Sequence, residues 1–170
     1  MVDKYIFDLD NTLINTDLLN NKSYNYALAY FNLPTIISNV RITRDLVFSK
    51  LPRLSEKQRS DIVTQKQLYF LKHIHITIPN NELINLLKSK NKSDCVLWTS
   101  ADDQRVKLLL SYYCITDCFY KIIYSKKTSV KEDVFSLCSI FNCSKKSLLF
   151  FEDDLYVIAE LKELDCRIVK

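Results

Sequence analysis

The chain opens on a short apolar run, Tyr5-Ile6-Phe7, which stops at two acidic residues, Asp8 and Asp10, with Leu9 between them. A brief apolar run bounded by turn-forming residues is the pattern of a strand buried on both faces. Similar runs recur late in the chain at 95–98, 120–124, 148–151 and 166–169. Helical spacing fills the gaps between them. Leu83, Leu86 and Leu87 predict a helix over 82–90, and Val106, Leu109, Leu110 and Tyr113 predict one over 102–113. Val130, Val134, Leu137, Cys138 and Phe141 predict a helix over 130–141, and another is expected over 155–164. Helices alternating with short buried strands predict an α/β fold, a Rossmann-like parallel sheet joined by right-handed crossovers and flanked by helices.

Residues 15–79 break this alternation. Asp17 is placed to cap a helix over 18–31, whose partial apolar stripe is Leu18, Tyr24, Ala27, Tyr30 and Phe31. Thr43 is placed to cap a short helix over 42–50, and Pro34 and Pro52 interrupt the pattern. Ser55 followed by Gln58 reads as a capping box opening a helix to about residue 71. No strand is predicted here. The expected organisation is therefore an α/β core from 1–14 and 80–170, with a small α-helical insert from 15–79.

Composition narrows the chemistry. The 170 residues are 48% hydrophobic and 26% charged, an ordinary soluble globular balance, and they can bury a core. The net charge of +4 suits an anionic substrate without calling for nucleic acid. No apolar run approaches the roughly 20 residues of a membrane helix. Asp3, Lys4, Asp8 and Asp10 would not be tolerated in a signal-peptide apolar region, so a cytoplasmic location is expected. The chain contains no glycine, which excludes every Gly-rich phosphate loop and dinucleotide fingerprint. Turns of positive φ must then fall to Asn or Asp, with Asn11, Asn20-Asn21 and Asn80-Asn81 as candidates. The six cysteines match no zinc-binding spacing and are expected to be reduced core thiols. His73 and His75, alternating with Ile74 and Ile76, read as partly buried spacers.

Three strands end in polar residues fit for one task. The first ends in Asp8 and Asp10, the second in Thr99 and Ser100, the fourth in Glu152-Asp153-Asp154. Parallel strands share a C-terminal edge, where such folds bind ligands. In order along the chain, Asp8-Leu9-Asp10-Asn11-Thr12 after an apolar strand, Thr99 after a second, Lys131, and the acidic residues after a fourth resemble the haloacid dehalogenase-like (HAD) superfamily, mostly phosphate-monoester hydrolases. For the third motif Lys127 competes with Lys131. Lys131 is preferred because Val134 and Phe135 then begin the apolar helix at the family's spacing, leaving Lys126 and Lys127 solvated. In the fourth motif Glu152 stands where Gly or Asp is usual, with Asp153 favoured as metal ligand and Asp154 second.

The resemblance implies a Mg²⁺-dependent phosphatase acting on a small phosphate monoester, a nucleotide or sugar phosphate, through an aspartyl-phosphate. Asp8 would be the nucleophile, and Asp10 would protonate the leaving oxygen and then activate water. Thr99, Ser100 and Lys131 would bind the phosphoryl group, and Lys131 would also pair with Asp8. Asp8, Asp10 (through its carbonyl) and Asp153 would hold Mg²⁺. The insert would be the family's helical cap, with Arg41, Arg44, Lys50, Arg53 and Arg59 as its basic residues. A phosphomutase and a catalytically silent binding module are the competing readings, and a monomer or homodimer is expected.

Overall fold

The structure, a computed structural model, describes residues 3–169. The chain forms two compact units, Met1–Ile14 with Pro79–Lys170 and Asn15–Ile78. The first unit is an α/β domain. Its strands are β1 (Lys4–Phe7), β4 (Cys95–Thr99), β5 (Lys121–Tyr124), β6 (Leu148–Phe151) and β7 (Arg167–Val169). They make one five-stranded sheet in the order β5-β4-β1-β6-β7, every pairing parallel. Its helices are α4 (Asn81–Lys88), α5 (Asp103–Tyr112), α6 (Val130–Phe141) and α7 (Leu155–Glu163). This is the Rossmann-like arrangement expected from alternating short apolar runs and helical stripes. Where the chain passes between units, β2 (Ile14–Asn15) and β3 (Ile78–Pro79) pair as a separate two-stranded sheet.

Strand β1 is central because it is flanked on both sides and its residues are apolar. Tyr5, Ile6 and Phe7 stand beside Cys95, Val96 and Leu97 of β4, and beside Leu149, Phe150 and Phe151 of β6. Ile6, Val96, Trp98 and Phe150 on the sheet pack with Val130, Val134 and Leu137 of α6 and Val157 and Leu161 of α7. Burying a side chain of this size contributes roughly 1.5–3 kcal/mol. Such a core fixes strand register, and strand register decides which residues emerge together at the C-terminal edge.

The second unit is helical. It comprises α1 (Asp17–Tyr30), α2 (Arg44–Lys50) and α3 (Glu56–Lys72) around Tyr24, Ala27, Leu28, Ile42, Val47 and Ile62. The Ser55–Gln58 capping box forms in both directions, and Thr43 Oγ1 accepts from Leu46 N. Asp17 does not cap α1. Thr16 occupies the cap position and Asp17, in the first turn, accepts from Arg41 Nη1 at 2.6 Å. Asp17 complements the helix dipole from inside that turn while also holding Arg41. Among the described residues, no helix is long and apolar enough to cross a membrane.

A chain without glycine must place other residues in the left-handed region. Asn11, Asn32, Asn142 and Asp165 do so, as the residue types predict, but Cys114 and Lys127 do so as well. Asn20, Asn21 and Asn81 lie in helices instead, and Asn80 is the cap of α4 with φ of −80°. All six cysteines are free thiols, but only Cys95 is buried in the core; Cys118, Cys138, Cys143 and Cys166 are half-buried, and Cys114 is exposed. Its φ of 53° ends α5, with Cys114 N and Ile115 N bonded back to Ser111 O and Leu110 O. A left-handed conformation costs a residue with a Cβ about 1 kcal/mol, and glycine escapes this. Cys114→Gly is therefore expected to raise stability by roughly 1 kcal/mol at unchanged m-value, read from urea unfolding.

Candidate active site

The site is built at the C-terminal edge of the parallel sheet. In-register pairing sets Phe7 beside Phe151, their rings stacked 4.7 Å apart, and Asp8 N donates to Phe151 O at 2.9 Å. The next residue on each strand is acidic, so Asp8 and Glu152 leave the sheet side by side. After Asp8 the chain turns sharply. Asn11 takes φ of 60°, Asn11 N bonds Ile14 O, and Leu13 N and Ile14 N both bond Leu9 O. Asn serves here because its short polar side chain tolerates the left-handed region.

Two buried carboxylates that close demand a counter-charge, and Lys127 supplies it. Its ammonium lies 2.5 Å from Asp8 Oδ1 and 2.6 Å from Glu152 Oε2, with all three side chains buried. Burial pushes the Asp8 carboxyl up to about 7; Lys127 pulls against this, while Glu152 and Asp10 add to it. Burial also works against the charge on Lys127, but Asp8 and Glu152 outweigh it and hold the lysine above its ordinary value. Lys131, the lysine preferred from helical spacing, is exposed on the first turn of α6. The pairing expected of it belongs to Lys127. Lys127 stands in the loop between β5 and α6, where no apolar periodicity marks it.

The three acidic residues after β6 separate into different tasks. Glu152 Oε1 accepts from Asp153 N and Asp154 N, both at 3.1 Å, while Oε2 takes Lys127. Asp154 caps α7, accepting from Tyr156 N and Val157 N. Asp153, exposed, accepts from Thr12 Oγ1 at 3.3 Å, and partial burial followed by the Glu152 charge raises its carboxyl above the usual range. Asp8, Glu152 and Asp153 each offer a carboxylate oxygen, all within 4.8 Å of one another. Hard oxygen donors in this number fit Mg²⁺.

Thr99, buried at the end of β4, accepts from Ala101 N through Oγ1 at 3.1 Å, a bond that leaves its own hydroxyl proton to donate. Ser100 is exposed beside it. Asp10 forms an ion pair with Arg105 on α5, whose side chain is 7% exposed. The sequence reading missed Arg105. A signal was present, since Arg105 lies one turn before Leu109 and so shares the apolar face of α5.

The metal-free protein carries a signature of this burial. A carboxylate raised from 3.8 to about 7 keeps its proton in the folded state after the unfolded chain has lost it. That contribution to stability is complete below about pH 4 and is lost as pH rises to about 7. Asp8→Asn removes the titrating group, so in EDTA the variant should gain stability relative to wild type across that window, read from urea unfolding at a series of pH values.

The sequence matches the haloacid dehalogenase-like hydrolase family over residues 5–169. No curated protein matches the chain. Among solved structures, the fold is similar to that of a Haemophilus somnus protein described as a predicted phosphoglycolate phosphatase, with TM-score 0.81, 20% identity, and coverage of 98% of this chain and 84% of that one. A HAD hydrolase of family IA, variant 3, from Entamoeba histolytica aligns with TM-score 0.78 at 17% identity over 98% of this chain and 82% of that one. A haloacid dehalogenase-like family protein from Streptococcus pneumoniae aligns with TM-score 0.73 at 18% identity over 98% and 83%. At these identities the structures establish a shared fold, and the family match establishes kinship: the chain belongs to the haloacid dehalogenase-like hydrolases.

Proposed function

We propose that this hydrolase is a Mg²⁺-dependent phosphatase that cleaves a small phosphate monoester through an aspartyl-phosphate on Asp8. The observation that carries this is the buried contact of the Lys127 ammonium with Asp8, at the sheet edge where Asp10, Thr99 and Asp153 also emerge. Asp8, Asp10, Glu152 and Asp153 bring four carboxylates against two cations, Lys127 and Arg105. Carboxyl groups outnumber cations there, an arrangement that favours binding of a divalent cation. Asp8 and Asp153, with the Asp10 carbonyl, would hold it, since Glu152 is committed to Lys127 and to two backbone N–H groups. When bound, Mg²⁺ screens the charge of the phosphoryl oxygens from the nucleophile.

The chain's own groups account for the rest. An Asp8 carboxylate oxygen attacks phosphorus, and the ester P–O bond breaks as Asp10 gives a proton to the leaving oxygen. Asp10 then takes a proton from water, which attacks the acyl phosphate and restores Asp8. The Thr99 hydroxyl donates to a phosphoryl oxygen, with Ser100 beside it, and Lys127 offsets charge on the nucleophile and on the transferring group. Arg105 orients the Asp10 carboxyl group through the oxygen that does not carry the transferred proton. We assign residues 15–78 the role of substrate-selecting cap from their place between the first and second motifs and their separate helical core. Nucleotide and sugar phosphates are the substrate class proposed, and several relatives of similar fold carry phosphatase descriptions.

A panel of phosphate monoesters assayed for released phosphate tests this. Release should require Mg²⁺ and vanish in EDTA. Asp8→Asn should lower kcat by at least about 10³-fold and Lys127→Ala by about 10²-fold or more, whereas Lys131→Ala should stay within about threefold. Mg²⁺-dependent release that survives Asp8→Asn would sink the mechanism.

A further inference from the structure

Lys127 sits in the left-handed region, with φ of 56°, in a buried site that needs its ammonium in one place. Nothing intrinsic to lysine favours that backbone conformation. The neighbouring groups impose it. Ser125 Oγ accepts from Lys127 N at 3.0 Å and donates its own proton to Asp133 Oδ2 at 2.6 Å. The same Asp133 oxygen accepts from Trp98 Nε1 at 3.1 Å. Trp98 is fully buried in β4, and its indole ring lies 4.6 Å beneath the Lys127 ammonium.

One carboxylate on α6 thus ties together both supports of the lysine. Through Ser125 it holds the backbone turn, and through the indole N–H it sets the plane of the ring against which the ammonium rests. A first-turn aspartate already suits the helix dipole of α6 with solvent alone as its partner. Anchoring Ser125 and Trp98 as well does something the helix does not require. We propose that Asp133 is a positioning residue which, acting through Ser125 and Trp98, fixes the Lys127 ammonium between Asp8 and Glu152. This rests on the assignment of Lys127 to the proposed phosphatase site. Without the Ser125 hydroxyl the Lys127 N–H loses its acceptor, the turn relaxes, and the ammonium withdraws from the nucleophile. A displacement of about 1 Å in such a site can lower turnover by about 10²-fold.

The test uses the intact chain with p-nitrophenyl phosphate and Mg²⁺, and with Trp98, the single tryptophan, as a second readout. Ser125→Ala and Asp133→Ala are expected to lower kcat at least about tenfold with KM within about threefold. The double variant should be no worse than the poorer single one, because Ser125 acts through the same Asp133 carboxylate and its loss is contained in that of Asp133. Ser125→Thr and Asp133→Asn, which keep a hydroxyl and an acceptor oxygen, should recover to within about threefold of wild type. Ser125→Ala leaves the indole contacts untouched, yet its Trp98 emission should shift in the direction produced by Lys127→Met. Folded Ser125→Ala or Asp133→Ala with kcat within about threefold of wild type, additive losses, or wild-type emission in Ser125→Ala would overturn the proposal. If the wild-type protein releases no phosphate from any monoester, the proposed function fails instead, and the emission comparison still decides whether Ser125 and Asp133 place the ammonium.

Discussion

A single ammonium shared by two buried carboxylates is the contact on which the rest of the site depends. Like charges about 4 Å apart repel by about 4 kcal/mol at an effective dielectric near 20, and burial adds a desolvation penalty to each. Parallel pairing of β1 with β6 nevertheless delivers Asp8 and Glu152 next to one another. Lys127 makes the juxtaposition tolerable, though not comfortable: the Asp8 carboxyl is still pushed up to about 7, mainly by burial. The site is therefore poised to gain from further positive charge, the condition under which hard cations bind carboxylate clusters.

The lack of glycine shapes how the site is supported. The turn after the first strand uses Asn11, and α6 ends on Asn142, both residues whose side chains suit the left-handed region. At Lys127 the side-chain identity is required for charge, so the backbone has to be held from outside. Ser125, Asp133 and Trp98 come from the end of β5, the first turn of α6 and the middle of β4, so the support is available only once these elements have packed. Strain at a functional position, sustained by surrounding structure, is a common arrangement.

Much of the fold could be read from the chain because local pattern and global architecture agree. Each strand is a short apolar run, each flanking helix carries an apolar stripe, and together they specify a parallel sheet with its functional edge at the strand C-termini. Asp8 and Thr99 stand directly after such runs and Asp153 one residue further on, so their edge placement followed. Lys127 and Arg105 were not legible in the same way. Lys127 lies in a loop, and choosing Lys131 from the periodicity of α6 favoured a residue that the helix turns to solvent. Arg105 hides among the apolar positions of α5, where a lone cation reads as an interruption of the stripe.

The sequence by itself determined the α/β class, the largely helical stretch that follows the first strand and the placing of acidic residues at strand ends, because hydrophobic periodicity is a local property. Tertiary structure alone decided which charges meet. Glu152 turns back to bind Lys127 and two backbone N–H groups, Asp154 caps α7, and Asp153 is the member of the trio beside Thr12. Three adjacent carboxylates are chemically almost the same in a sequence. They differ only through the directions in which a strand end and a helix start point them, and those directions are set by packing far along the chain.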